Sequence, residues 1–98
     1  MPAYDGGETY PFAYRAVDQK APDASGVYTL FTSRRWMYVG ESADIRQSLF
    51  RHLNEPPAWM IRSRPLSFSF EAVPAGERVS RQKALVAELA PAFNSAAE

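Results

Sequence analysis

Arginine dominates the basic side chains of this sequence, and the residue types that build most metal sites are scarce. Cysteine is absent and histidine occurs once, as His52. No thiolate zinc site, iron–sulfur cluster or cysteine nucleophile can therefore form, and a single histidine excludes a multi-histidine metal site. Nine of the eleven basic residues are arginine, whose planar guanidinium group suits phosphate. The abundant arginines therefore permit contact with phosphate groups.

The basic residues are concentrated in the middle of the chain, although the formal net charge is zero. Residues 26–66 hold six basic and three acidic residues, a net charge of +3. One interpretation is a surface for nucleic-acid backbone, with Arg46, Arg51, Arg62 and Arg64 as its candidate residues. The other is a set of ordinary surface arginines. Composition alone favours the second interpretation, because an excess of +3 is a weak signal.

The elements that must position these residues form a small α+β domain. Residues 26–31 and 36–40 are rich in β-branched and aromatic types and predict a β-hairpin. Ser42 is the predicted N-cap of a helix that reaches residue 54. Residues 66–73 alternate as a strand, and residues 78–89 predict a second helix. The order predicts a mostly antiparallel three-stranded sheet flanked by helices.

The remaining N-terminal residues are predicted to be an extension of that domain. Residues 1–19 contribute at best an edge strand over 10–17, because Pro11 interrupts it, and residues 20–98 form the domain. A chain of 98 residues has room for one domain. Apolar runs are too short to span a membrane, and residues 1–11 lack the pattern of a secretory signal. The expected location is the cytoplasm.

The predicted hairpin carries a pair of tripeptides. Gly26-Val27-Tyr28 is followed, after nine residues, by Tyr38-Val39-Gly40. The pair resembles the two motifs that name the GIY-YIG nuclease superfamily. Pro91-Ala92-Phe93-Asn94 resembles the superfamily's Pro-x-x-Asn after the last helix, and Arg51 and His52 stand where many members carry a basic pair. The resemblance spans residues 20–94 and implies the order hairpin, helix, strand, helix.

The resemblance implies phosphodiester hydrolysis. In the superfamily a hairpin tyrosine helps to activate water, a first-helix arginine stabilises charge on the phosphate, and a second-helix glutamate holds a divalent ion, usually magnesium. The implied catalytic candidates here are Tyr28, Tyr38, Arg51 and His52. Both tyrosines can serve one site only if they share a face of the sheet. That requires an even register sum in the hairpin, such as Tyr28 opposite Tyr38.

Two positions depart from the superfamily's pattern. The helix arginine is expected eight residues after Gly40, where this chain has Ser48. The metal-binding glutamate is expected nine residues before Pro91, where this chain has Gln82. Gln82 falls within the apolar stripe of its predicted helix and should point toward the sheet, where its amide needs hydrogen-bond partners. A neutral amide binds magnesium far more weakly than a carboxylate.

Neighbouring residues offer partial replacements. Arg51 shares a helix face with Ser48 and can reach the space of the expected arginine, whereas Arg46 lies on the opposite side. Glu41 and Asp44, beside the hairpin, are the nearby carboxylates and thus weak candidates for a metal site.

The sequence leaves three functions open. The favoured one is a catalytically impaired GIY-YIG-like domain that binds nucleic acid, expected to be DNA, through the altered nuclease site. The second is an active, divalent-metal-dependent endonuclease with a rearranged site, which would use Mg²⁺. The third is a non-catalytic protein-interaction module on the same fold, which the neutral net charge supports.

Overall fold

The computed structural model describes residues 8–94, which form a four-stranded antiparallel sheet with helices on both faces. In chain order the elements are β1 (Tyr10–Pro11), α1 (Tyr14–Lys20), β2 (Gly26–Phe31), β3 (Trp36–Ser42), α2 (Ile45–Asn54), α3 (Ala58–Arg62), β4 (Ser67–Ala72), a 3-10 turn (Ala75–Glu77) and α4 (Arg78–Leu89). The strand order is β1-β4-β2-β3. The predicted α+β architecture is confirmed, and the expected count of three strands is one too few.

The additional strand is β1, at one edge of the sheet. Tyr10 pairs with Phe68 and Pro11 with Ser67. Proline is tolerated there because an edge strand has one unpaired side and needs no donor on it. The strand-like composition of residues 10–17 is misleading after Pro11, since residues 14–20 form α1. Val17 is fully buried in the core from that helix, and tertiary packing of this kind overrides local propensity.

The hairpin register places both motif tyrosines on one face. Tyr28 pairs with Gly40 and Leu30 with Tyr38, so the register sum is even, as one site for both tyrosines requires. The direct pairing of Tyr28 with Tyr38 is wrong. The pairing becomes irregular between Leu30 and Phe31, and the two tyrosines are diagonal neighbours instead of partners.

Helix α2 begins two residues later than predicted. Its N-cap is Asp44, whose carboxylate accepts a hydrogen bond from the Gln47 N–H at 3.0 Å. Ser42 is instead the last residue of β3, and its hydroxyl accepts from the Asp44 N–H at 2.9 Å. Both Ser42 and Asp44 carry the side-chain oxygen that capping requires. Because β3 extends through Ser42, the N-cap of α2 is Asp44.

Each face of the sheet has its own apolar cluster. The face covered by α2 buries residues that include Tyr28, Leu30, Ile45, Leu49 and Phe68. The face covered by α4 buries a smaller cluster of Val27, Val39, Val73, Leu85 and Leu89. Side chains alternate between these two clusters along β2 and β3, as the pleat of a sheet dictates. Among residues 8–94, every helix is too short or too polar to cross a bilayer.

Candidate functional site

The centre of the candidate site is a contact between β2 and α2. Tyr28 is buried, with 4% of its surface exposed, and its hydroxyl oxygen lies 2.8 Å from His52 Nε2. The apolar residues Ile45 and Leu49 fix the face that α2 turns to the sheet. Because positions three and four apart share a helix face, Leu49 at the core brings His52 onto the sheet above Tyr28. The sequence names both residues as candidates but gives no sign of this bond.

Gly40 makes the position of the Tyr28 ring possible. The two residues are cross-strand partners, and a Cβ atom on Gly40 would overlap the Tyr28 ring and hydroxyl. The phenol therefore lies across the backbone of β3, in space that any other residue type would fill. The glycine of the second tripeptide is thus a packing requirement set by the tyrosine of the first.

Burial keeps both members of the Tyr28–His52 contact neutral. Desolvation raises the pKa of Tyr28 well above its ordinary range, and the nearby Tyr38 adds to this effect. Desolvation also lowers the pKa of His52, with a smaller contribution from the positive charge of Arg51. At neutral pH the contact joins a phenol to an uncharged imidazole. Transfer of the proton from oxygen to nitrogen would leave two charges in a desolvated site, so the contact is a hydrogen bond between two neutral groups.

Tyr38 extends the site along an aromatic row. Its ring centroid lies 6.3 Å from that of Tyr28, 5.8 Å from that of His52 and 6.2 Å from that of Trp59. Trp59 in turn stacks on Phe93 at 4.5 Å with an interplanar angle of 7°. The row fixes the ring of Tyr38 while leaving that residue partly exposed. Trp59 itself is half-buried between the Tyr38 and Phe93 rings.

Ser48 occupies the position of the expected arginine and joins β3 to α2. Its hydroxyl lies 2.6 Å from the Ser42 hydroxyl, and it accepts a hydrogen bond of 3.3 Å from Arg51 Nη2. Only 6% of its surface is exposed, whereas Arg51 is exposed. The guanidinium group of Arg51 therefore extends over Ser48, as the shared helix face predicts. We call Tyr28, Tyr38, Arg51 and His52 together the tyrosine–histidine site.

The candidate carboxylates lie apart from one another and are engaged elsewhere. Glu41 accepts a hydrogen bond of 3.0 Å from Arg78 Nε on the α4 face, and Asp44 caps α2. Within residues 8–94, no three His, Cys, Asp or Glu side chains gather as a metal-binding group. Magnesium prefers several oxygen ligands with at least one carboxylate. The residues present do not fit that ion.

Gln82 is bound to the backbone of β3. Its Nε2 donates to the Val39 carbonyl oxygen at 3.1 Å, which satisfies the expectation that it points toward the sheet and finds a partner. The same carbonyl accepts from Asn94 Nδ2 at 2.7 Å, while Asn94 Oδ1 accepts from the Val39 N–H at 2.7 Å. Asn94 therefore ties the C-terminal segment to β3, the structural role that its position suggests.

The remaining arginine candidates are dispersed. Arg46 Nε donates to the Ala21 carbonyl oxygen at 2.8 Å, on the side of α2 away from Ser48. Arg62 is exposed at the end of α3. Arg64 lines a cavity that His52 also lines. The structure thus brings Arg51 to Tyr28 and His52, sets Arg64 one cavity away, and leaves Arg46 and Arg62 outside.

Comparison with known proteins identifies the fold. No family model matches the chain, and no curated protein matches its sequence. Among solved structures, the magnesium-bound GIY-YIG N-terminal endonuclease domain of UvrC from Thermotoga maritima is similar, with a TM-score of 0.70, 20% identity, and coverage of 83% of this chain and 94% of that chain. A variant of that domain with asparagine replaced by alanine gives a TM-score of 0.69 at 19% identity, covering 82% of this chain and 92% of that chain. The chain therefore has the GIY-YIG fold, as its tripeptides predict.

The positions of three variants in that domain match the spacing of the candidate site. Each variant replaces one tyrosine with phenylalanine, and the three tyrosines are separated by ten and then fourteen residues. Tyr28, Tyr38 and His52 have the same separations. His52 thus stands, by spacing, where that domain has its third tyrosine.

Proposed function

We propose that this domain binds nucleic acid, with DNA as the expected ligand, at the tyrosine–histidine site without magnesium-dependent cleavage. The observation that carries the proposal is the contact of Tyr28 with His52 beside an exposed Arg51, on the fold of an endonuclease domain. The spacing of the two tyrosines and the histidine adds support. The other functions left open by the sequence become outcomes of the experiments below.

Arg51 supplies the positive charge for a phosphate group. One of its N–H groups is directed to Ser48, and no ion pair holds its guanidinium group among residues 8–94. The remaining N–H donors are available to phosphate oxygens, where charge-assisted hydrogen bonds are strong. Tyr38, partly exposed next to His52, lies beside this position. Tyr28 and His52 lie behind these two residues and hold the strand and helix in register.

The absence of cleavage follows from two side chains. A pentavalent phosphate needs a positively charged group beside its equatorial oxygens, which carry negative charge. A resident metal ion needs an anionic oxygen ligand. Ser48 supplies neither charge nor reach at the first position. Gln82 supplies a neutral amide at the second, with its nitrogen bound to Val39. The site retains groups that bind phosphate and lacks the groups that drive its hydrolysis.

Salt-dependent binding tests the first half of the proposal. Fluorescence anisotropy with labelled DNA and RNA oligonucleotides, single-stranded and duplex, should give an affinity that falls steeply with salt because phosphate contacts release counterions. Arg51→Gln should weaken binding and reduce the slope of log K against log salt by about one. Arg15→Gln, at an exposed arginine of α1, is the matched control and should change neither. Equal behaviour of the two variants, or binding without salt dependence, would contradict the proposal and favour a protein-interaction module.

Incubation with supercoiled plasmid tests the second half. With magnesium or manganese and protein in large excess, we expect the plasmid to stay intact. Cleavage that requires the ion and is lost in Tyr28→Phe would establish the active endonuclease instead. The phenylalanine variant keeps the ring above Gly40 and removes the hydroxyl with its contact to His52, so circular dichroism and thermal unfolding of the variant are measured beside the assay to show that it is folded.

A further inference from the structure

A second feature adjoins the tyrosine–histidine site: an apolar cavity of about 330 Å³ that shares His52 with it. Its lining includes the flat or apolar side chains Phe12, Pro56, Met60 and Leu66. That volume lies at the small end of the range for ligand cavities, roughly 300–1,000 Å³. It suits one planar ring system with its sugar and is too small for a stacked base pair.

One wall of the cavity comes from the N-terminal segment. Pro11, Phe12 and Ala13 contribute to it, and the Phe12 N–H donates to the Leu66 carbonyl oxygen at 2.9 Å, which fixes that wall to the segment before β4. The opposite wall comes from the end of α2 and from α3. The cavity is therefore formed where the residues preceding β2 close over the helix that carries His52.

The polar groups of the cavity lie where a nucleotide would need them. His52 and Arg64 are the lining residues able to donate hydrogen bonds from a side chain. Arg64 is exposed, and no ion pair engages it within the described part of the chain. A ligand here would have apolar faces, a polar edge at His52 and negative charge near Arg64. A nucleobase with its neighbouring phosphate has these properties, and bases stack well on flat side chains.

We propose that this cavity receives one unpaired nucleobase of the strand whose phosphate binds at Arg51. The proposal rests on the proposed function and specifies its ligand as single-stranded or locally unpaired nucleic acid. In an intact duplex the bases are stacked and paired, so a base reaches the cavity only after leaving the stack. The wide exposure of Arg51 and Arg64 leaves room for the backbone on either side of His52.

The experiment compares three probes with two variants. The probes are a labelled 12-nucleotide single strand, the same strand as a duplex, and an abasic strand with the same backbone. Ala13→Trp places a large ring at the exposed rim of the cavity, and Ala87→Trp places the same ring on the exposed side of α4 as the matched control. Wild-type protein should bind the single strand about tenfold more tightly than the abasic strand, the scale of one stacked base.

In Ala13→Trp that preference should fall to about twofold, with the affinity for the abasic strand unchanged. Ala87→Trp should retain the full preference, and the duplex should bind no better than the abasic strand. Equal affinity of wild-type protein for the base-containing and abasic strands would overturn this inference. That comparison uses wild-type protein alone and does not depend on whether a variant folds. If binding to both strands still depended on Arg51, the proposed function would survive that result. If wild-type protein showed no salt-dependent binding to any of the three probes, both this inference and the proposed function would be overturned.

Discussion

The two faces of the sheet treat their polar side chains differently. On the α4 face, Gln82 donates to the Val39 carbonyl and Glu41 pairs with Arg78, so the polar groups are satisfied within the fold. On the α2 face, Arg51 is exposed and Tyr38 is partly exposed. Arg51 has one hydrogen bond to Ser48 and no ion pair among residues 8–94, so the α2 face presents a charged group to solvent.

Under the proposed function, this difference separates the face that binds nucleic acid from the face that no longer supports cleavage. On α4, Gln82 stands where the resemblance implies a metal-binding glutamate, and it donates to the backbone of β3. The residues proposed to bind nucleic acid lie on β3 and α2, where Tyr38 is partly exposed and Arg51 is exposed. Hydrogen bonds within the α4 face stabilise the sheet. They engage polar groups that a catalytic site would leave available to its substrate. The following predictions, from the largest effect to the smallest, test that division.

Gly40→Ala should be the most destabilising of these substitutions on the α2 face. The new Cβ would overlap the Tyr28 ring, and overpacking in a core costs about 2–3 kcal/mol. Urea unfolding measures the loss. Gly76→Ala is the matched control, because nothing lies within 4 Å of a Cβ at Gly76, and its stability should change little. In a Tyr28→Ala background the cost of Gly40→Ala should largely disappear; an unchanged cost would show that the ring is not the obstacle.

Asn94→Ala should be the most destabilising polar substitution at the edge of β3. It removes two hydrogen bonds of 2.7 Å and leaves the Val39 N–H without its partner, a loss of about 2 kcal/mol. Gln82→Ala should cost less, about 0.5–1 kcal/mol, because Asn94 still donates to the Val39 carbonyl. Chemical denaturation separates the two. A larger loss for Gln82→Ala would reverse the assigned order and place the main support of β3 on α4.

The pH dependence of stability should report on His52. Its folded-state pKa lies below the ordinary value of 6.5, so the unfolded chain takes up a proton first as the pH falls. The contribution of His52 is therefore complete above pH 6.5 and is lost as the pH falls from there through the folded-state pKa. Urea midpoints between pH 5 and 8 measure this. His52→Gln should flatten that part of the profile; an unchanged profile would assign the titration to other groups.

The sequence predicts the strands and helices around the site well, and the reasons are local. Residues 26–31 and 78–89 are bounded as predicted because composition, periodicity and flanking proline or turn residues agree. Residues 14–20 are predicted wrongly, because their helix depends on burying Val17 against a distant part of the chain. Local propensity does not depend on such long-range packing and therefore cannot predict it.

The candidate site divides in the same way. Helix periodicity places Arg51 beside Ser48 correctly, since both belong to one helix. The bond between Tyr28 and His52 depends on how α2 lies across the sheet, which side-chain packing at Ile45 and Leu49 decides. The cavity beside His52 depends on the path of residues 11–13, for which a strand through residue 17 was expected. Properties that join distant elements are the ones that a single sequence leaves unresolved.

The segment after α4 has a consequence for the behaviour of the molecule in solution. Strand β3 is an edge strand of the sheet, and residues 92–94 cover its outer side. The Ala92 and Phe93 N–H groups donate to the carbonyl oxygens of Trp36 and Met37, and the Val39 N–H donates to Asn94 Oδ1. An uncovered edge strand is a template for pairing with another chain. A cut before residue 92 would therefore expose the outer edge of β3, and copies of the shortened chain are expected to pair edge to edge and aggregate.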